Sequence, residues 1–364
     1  MSESHLTEAD VRRLLDPAQL IPAIALAFRD RYPSVIIPQR TQTQLAHGTF
    51  LSMSCYDPLS AALGMKLVLV REKTVDAQNL ETPSRSNEIF PGRDGTVQAA
   101  YLLLDPETAQ PRLTIEANYL TDLRTTATSA LATKFLAPAN VSTLGIFGTG
   151  RLARAHLAVL PLVRGFQRVL ICGRNAASSA EFVRQSAAEM QNLEIAAADP
   201  GTCVRESEIL CACTSSRTPL FDGRDLRPGS HLNLVGSFRP QTREVDTCTI
   251  QRSRVVVDTY ATAAEVGDIL IPLHEAAIPQ DHVAADLHEL VSGKKQGRRN
   301  LEDITIFKSA GCALEDLVAA ELLLAANSAP ATLTSISRDP ATPAVQIPPA
   351  LPFSPAGVLR NRRR

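Results

Sequence analysis

The chain has no CxxC pair among its seven cysteines, no apolar run long enough for a bilayer, and almost no net charge. Each absence excludes a class of function. Lys and Arg total 37 against 38 Asp and Glu, a formal charge of -1. No global field therefore draws the chain to a polyanion, and no nucleic-acid partner is expected. The apolar runs at 67–70 and 317–326 are too short or too interrupted for a membrane span of about 20 residues. Residues 1–10 are polar and acidic, without the basic start and apolar stretch of a secretory signal, so a cytoplasmic protein is expected. In that setting the seven cysteines are expected to be reduced core thiols, with Cys211 and Cys213 alternating in one apolar stretch, and no zinc site is expected.

What is present fits a globular protein of one or two domains: 364 residues, 45% apolar and 21% charged,. Val11, Leu14, Leu15, Leu20, Ile24 and Phe28 recur at helical spacing over 6–31. Short β-rich pieces follow at 34–37, 49–55, 62–70 and 96–105, separated by turn signals at Asp57-Pro58, Pro91-Gly92 and Asp94-Gly95. An antiparallel or mixed sheet is expected there. Helical spacing returns over 117–136, with a stripe of Leu120, Leu123, Ala127, Ala130, Leu131 and Phe135. Beyond Pro138 strands and helices alternate, with strands at 143–147, 168–172, 209–213, 231–235 and 254–258 and helices at 151–162 and 176–190. This alternation predicts an α/β fold with a doubly wound parallel sheet. An apolar helix is expected over 313–326. The Pro-, Ala-, Ser- and Thr-rich segment 328–364, ending in Arg360, Arg362, Arg363 and Arg364, reads as a flexible tail.

The sharpest local signal is the strand at 143–147 running directly into Gly148-Thr149-Gly150-Arg151-Leu152-Ala153 and a helix. This is the dinucleotide fingerprint with Ala153 at the third glycine position. Gly148 makes the tight turn, Gly150 lets the backbone approach a pyrophosphate, and the helix start offers free N–H groups to it. After the second strand, Gly173-Arg174-Asn175 stands where an acidic residue would accept the ribose hydroxyls. Arg174 can instead pair with a 2′-phosphate, which favours NADPH while leaving NADH open. Upstream, Lys66 sits among Met65, Leu67, Val68, Leu69 and Val70, where a charge is costly unless it faces a cleft or a partner. A pocket that binds a carboxylate would account for it.

With these residues in view, the chain resembles the ornithine cyclodeaminase/mu-crystallin family. The blocks that carry the likeness are Gly64-Met65-Lys66, residues 120–130 around Arg124, Gly148-Thr149-Gly150, Asn233 to Pro240 with Arg243-Glu244, Glu265 to Asp268, and Phe307-Lys308 to Gly311 with Leu314-Glu315-Asp316. The resemblance implies a homodimer. Residues 1–136 and 312–327 would form a substrate and dimerisation domain, and 137–311 a Rossmann domain. It implies that Arg40, Lys66 and Arg124 hold an amino or imino acid carboxylate, with Met53 in the pocket wall. Around the cofactor it places Thr96, Thr125, Gly148, Thr149, Gly150, Arg151, Leu152, Arg174, Asn175, Thr214, Val235, Ser237 and Lys308.

The family's cyclodeaminases carry an Asp acid/base in the block after Val235-Gly236. Here Phe238 stands in its place and cannot move a proton, so ammonia loss and ring closure are poorly supported. The form Gly236-Ser237-Phe238-Arg239-Pro240 resembles reductases of pyrroline-2-carboxylate or piperideine-2-carboxylate. The expected activity is NAD(P)H-dependent reduction of a cyclic imino acid to proline or pipecolate, with Lys66, or a water held in the site, as the proton donor. The rivals are a cyclodeaminase-type lyase, an alanine or arginine dehydrogenase, and a non-catalytic NADP-binding protein.

Overall fold

The computed structural model describes residues 4–71 and 97–328. Thr96, the turns at 91–95 and the segment from 329 onward lie outside the described residues.

Two sheets organise the chain. The first has six strands: β1 (Ser4–Leu6), β2 (Thr41–Leu45), β3 (Gly48–Asp57), β4 (Ala62–Arg71), β5 (Val97–Leu104) and β6 (Pro111–Glu116), in the order β1-β6-β5-β4-β3-β2. All its neighbours are antiparallel except the β1–β6 pair. Alternation in β3 and β4 buries Leu51, Met53 and Cys55 with Gly64, Lys66 and Val68 on one face, as a half-covered strand requires. Met53, Lys66 and Tyr101 are direct partners across three strands. Two residues along, Gly64 must be glycine, because a Cβ there would lie 1.8 Å from the Tyr101 hydroxyl. The strand expected at 34–37 is reduced to a single bridge from Ile36 to Tyr56. The prolines at 33 and 38 bracket it and remove the donors a longer ladder needs.

The second sheet is parallel throughout. Its strands are β7 (Thr143–Phe147), β8 (Arg168–Cys172), β9 (Glu194–Ala197), β10 (Ile209–Ala212), β11 (His231–Leu234), β12 (Ser253–Val257), β13 (Val283–Asp286) and β14 (Ile304–Lys308). The order β13-β12-β14-β11-β10-β7-β8-β9 reverses direction between β7 and β10, the crevice where such sheets bind ligands. Its helices include α4 (Arg151–Val159) after β7 and α5 (Ala176–Glu189) after β8.

Two further helices join the sheets. α3 (Asn118–Leu136) is rich in Thr, Ser and Ala and almost wholly buried. It touches β5 on one side and α4, β11 and β14 on the other. Its buried hydroxyls are satisfied within the helix: Thr125, Thr126, Thr128, Ser129 and Thr133 each donate to the carbonyl four residues back,. α11 (Ala313–Ser328) begins five residues after β14 ends and lays Asp316 and Leu317 against the buried face of the first sheet. One hydrophobic core consequently runs from Leu6 through α3 to β7 and α11, and a second covers the opposite face of the parallel sheet.

All seven cysteines are free. Five are core thiols as expected, whereas Cys213 and Cys248 are only half-buried, since Cys213 lies just past the end of β10. Among the described residues no helix is long and apolar enough to cross a membrane.

Candidate active site

The glycine turn behaves as its sequence requires. Gly148 has φ of 110°, a region costly for any side chain, and a Cβ there would lie 2.6 Å from the Cys213 carbonyl oxygen,. Gly150 caps α4 without a side-chain hydrogen bond, and open space surrounds it. The first N–H groups of α4 are therefore left without a side-chain cap, as an anion-binding helix start requires,. Thr149 lies beside Gly173, where a Cβ would meet the threonine methyl at 2.9 Å. That contact brings Arg174 and Asn175, both exposed, next to the turn. Asn175 Oδ1 accepts from Ser178 N at 2.8 Å and caps α5.

Arg151 differs from a free phosphate ligand. Its Nε and Nη2 donate to the two oxygens of Asp122 at 2.8 and 3.1 Å, and Nη2 also donates to the Asn118 carbonyl. The side chain ties α4 to α3, while its main chain stays at the helix start. The Leu152 carbonyl lies 2.8 Å from His156 Nδ1, a buried imidazole that burial pushes down to about 4 and so keeps neutral. The Thr125 hydroxyl donates to its own helix.

At the strand ends a buried carboxylate gathers two expected cofactor positions, Thr214 and Ser237. Glu244 accepts from Thr214 N and Oγ1 at 2.8 and 2.7 Å, and from Gly236 N and Ser237 N at 2.8 and 3.2 Å. Burial pushes its carboxyl up to about 7 even with Lys308 opposing the shift. The Lys308 ammonium donates to the Ser237 carbonyl at 2.5 Å and pairs with Asp268 at 2.8 Å. Asp268 in turn accepts from the Glu244 backbone N–H. The Ser237 hydroxyl turns inward to the Thr242 carbonyl, and Val235 closes the end of β11 through Ala212.

Arg40, Lys66 and Arg124 come together on one segment, 310–316. Arg40 Nη1 donates to the Ala310 carbonyl at 3.2 Å and Nη2 pairs with Glu265 at 2.8 Å. The Arg124 guanidinium rests on Gly311, where a Cβ would meet Nη1 at 2.5 Å. It also pairs with Glu315 at 2.8 Å and Asp316 at 2.9 Å. Lys66 Nζ lies 2.7 Å from Asp316 Oδ2 and 2.9 Å from Oδ1, so Asp316 bridges Lys66 and Arg124. Lys66 is 1% exposed. Burial, with Arg124 nearby, lowers its ammonium to about 8 despite Asp316. Burial also opposes the Arg124 charge, but Asp316 and Glu315 outweigh it and keep the guanidinium protonated. Met53 stands beside Lys66 in strand register.

Sequence reasoning assigned no role to Glu244, Asp258, Glu315 or Asp316. Asp258, after β12, holds the critical turn: its Oδ2 accepts from Ser309 Oγ, Ala310 N and Gly311 N at 2.8, 3.0 and 2.8 Å. Glu315 and Asp316, like Lys66, are charges set among aliphatic residues, at the start of the mostly apolar α11. Among the described residues no group of three or more His, Cys, Asp or Glu could hold a metal.

The glycine turn at Gly148–Gly150 thus leaves an uncapped helix start, and the segment 310–316 gathers Arg40, Lys66 and Arg124 with their acidic partners. Residues 1–328 match the ornithine cyclodeaminase/mu-crystallin family. The chain is 32% identical to Delta(1)-pyrroline-2-carboxylate reductase of Bacillus cereus over 317 residues, 86% of this chain and 93% of that protein. Among solved structures it is similar to Delta(1)-pyrroline-2-carboxylate reductase of Thermococcus litoralis in complex with NADH and L-proline. The TM-score is 0.80 and the identity 32%, covering 89% of this chain and 97% of the other. It is also similar to an archaeal alanine dehydrogenase dimer with bound NAD, at a TM-score of 0.79 and 26% identity, covering 90% and 96%. The chain belongs to the ornithine cyclodeaminase/mu-crystallin family.

Proposed function

We propose that the protein is an NAD(P)H-dependent reductase of small cyclic imino acids, converting pyrroline-2-carboxylate or piperideine-2-carboxylate to L-proline or L-pipecolate. The observation that carries this reading is the convergence of Arg40, Lys66 and Arg124 on the segment 310–316. That segment leaves the parallel sheet at Lys308, beside Ser237. A carboxylate gripped there lies at the opposite end of the crevice from the pyrophosphate turn.

When bound, the reduced nicotinamide supplies a hydride to the C=N carbon. The chain's residues do the rest. Arg40 and Arg124 fix the carboxylate. Lys66, shifted toward neutral pH and held by Asp316, supplies the proton that the imine nitrogen requires,. Phe238, packed on the main core, offers no acid or base for ammonia loss. Arg174, exposed beside the turn, favours the 2′-phosphate of NADPH. We place a substrate and dimerisation domain at 1–136 with 312–327 and a dinucleotide-binding domain at 137–311, a division supported by the two separate sheets. The other face of the first sheet leaves Leu63, Met65, Leu67, Leu69, Leu102 and Leu104 half-buried. Such an apolar face suits a homodimer contact.

The test is steady-state turnover of pyrroline-2-carboxylate, piperideine-2-carboxylate, ornithine and alanine with both nicotinamide cofactors. Stoichiometric oxidation of NADPH by a cyclic imino acid is expected. Cyclic product formed from ornithine with no net cofactor change would instead establish a lyase.

A further inference from the structure

Two carboxylates share Lys66 and Arg124: Asp316 meets both cations, its buried Oδ2 through ion contact with Lys66 rather than a hydrogen bond, whereas Glu315 meets Arg124 alone. Asp316 has Oδ1 at 2.9 Å from both Lys66 and Arg124 and Oδ2 at 2.7 Å from Lys66. Glu315 has Oε2 at 2.8 Å from Arg124 Nη1, but its Oε1 is buried and has no hydrogen-bond partner. An ionised carboxylate oxygen left bare in the interior loses the stabilisation water gave it. The charges facing Glu315 are Arg124 from α3, Lys66 from β4, Asp258 from the end of β12, and Asp316 on its own helix, with the Cys312 thiol one turn away. Arg40 is already matched by Glu265.

The Asp258 charge is met by its own donors, Thr259 N, Thr262 Oγ1, Ser309 Oγ, Ala310 N and Gly311 N, so the balance among Lys66, Arg124, Asp316 and Glu315 decides between two states. With both acids ionised, Lys66 and Arg124 are cancelled, and an incoming carboxylate would leave a net negative charge out of reach of water. With Glu315 neutral, one positive charge remains and the incoming carboxylate closes it. We propose that Glu315 takes part in binding as a neutral acid, so that the pocket accepts a monoanionic carboxylate together with one proton. This rests on the carboxylate-pocket reading above and adds a specific linkage to it. Burial pushes the Glu315 carboxyl up to about 7 against the pull of Arg124, which places the exchange near neutrality.

The probe is furan-2-carboxylate, a planar five-membered carboxylate with no basic nitrogen, titrated calorimetrically into the full-length protein saturated with NADP+. Two buffers of different ionisation enthalpy report the protons exchanged. Uptake of about half a proton is expected at about pH 7, below the range in which Lys66 loses its proton, with affinity falling as pH rises through 7,. Glu315→Gln, isosteric with the neutral acid, is expected to bind without uptake and with affinity flat between about pH 6 and 7.5. Wild-type binding without uptake overturns the linkage and leaves the pocket standing, as does uptake that persists in Glu315→Gln. Failure of the wild type to bind the probe at about pH 6, with NADP+ still bound, overturns the carboxylate pocket itself and the inference with it. The wild-type measurement decides without the variant, should Glu315→Gln not fold.

Discussion

Replacing Lys66 by Met removes a buried ammonium whose two contacts, at 2.7 and 2.9 Å, are both with Asp316. Breaking a buried ion pair costs about 3–5 kcal/mol, because the abandoned charge stays desolvated. Here Arg124 Nε remains 2.9 Å from the same carboxylate, so the lower end, about 3 kcal/mol, is expected. A protein of ordinary stability, about 5–15 kcal/mol, survives that loss. Adding Asp316→Asn to Lys66→Met should recover part of it, since no unpaired charge is left. Catalysis separates from stability in the kinetics. If Lys66 supplies the proton, kcat falls about 10²–10⁴-fold; if it only grips the carboxylate, KM rises and kcat holds. The dissociation constant for NADPH should stay within about twofold, because Lys66 makes no contact with the Glu244 and Lys308 network. The wild-type kcat should decline as pH rises through about 8, where the ammonium is lost, and that limb should vanish in the variant. Absorbance of the reduced nicotinamide follows turnover, and melting by circular dichroism follows stability. Undiminished kcat and KM in folded Lys66→Met would remove Lys66 from the mechanism.

Three further outcomes follow from named contacts. Arg174→Ala should raise KM for NADPH about 10-fold or more, the worth of one charge-assisted hydrogen bond, and leave KM for NADH nearly unchanged; an unchanged ratio of the two kcat/KM values would show that Arg174 does not read the phosphate. Asp258→Asn weakens the hold on Ser309, Ala310 and Gly311, so the imino acid KM should rise at least tenfold while cofactor affinity moves by less than about twofold; equal losses on both would contradict the assignment of that turn to the substrate. Tyr101→Phe deletes a buried hydroxyl that has no partner and should stabilise the fold by about 1 kcal/mol, a gain that a lower melting temperature would disprove.

The parallel sheet was legible where strands are apolar and uninterrupted, as at 143–147 and 168–172. Other strands carry weaker patterns. β2 reads Thr-Gln-Thr-Gln-Leu and is exposed throughout, so no buried face imprints a period on it. β6 opens on Pro111, which a strand tolerates only at its first position or on an edge. β14 is fully buried, but five residues cannot be told from a short helical piece by pattern alone. Within the site, Gly148 and Lys66 stood out because each violates a local rule, the one conformational and the other a charge among aliphatics. Asp258 and Glu244 violate none, since acids in loops are ordinary. Their roles come from the backbone N–H groups that the fold turns toward them, and that convergence is long-range.

The geometry between the two ends of the crevice rests on one helix. Asp122 and Arg124 lie two positions apart on α3, about 200° around its axis, and so point to opposite sides. Asp122 reaches Arg151 at the start of α4, beside the pyrophosphate turn, while Arg124 reaches Glu315 and Asp316 at the start of α11, beside Lys66. Small side chains with internally satisfied hydroxyls let this helix sit buried between both sheets without orphaned groups,. On the function proposed above, α3 would therefore tie the carboxylate pocket at Arg124 and the glycine turn beside Arg151 to one helix.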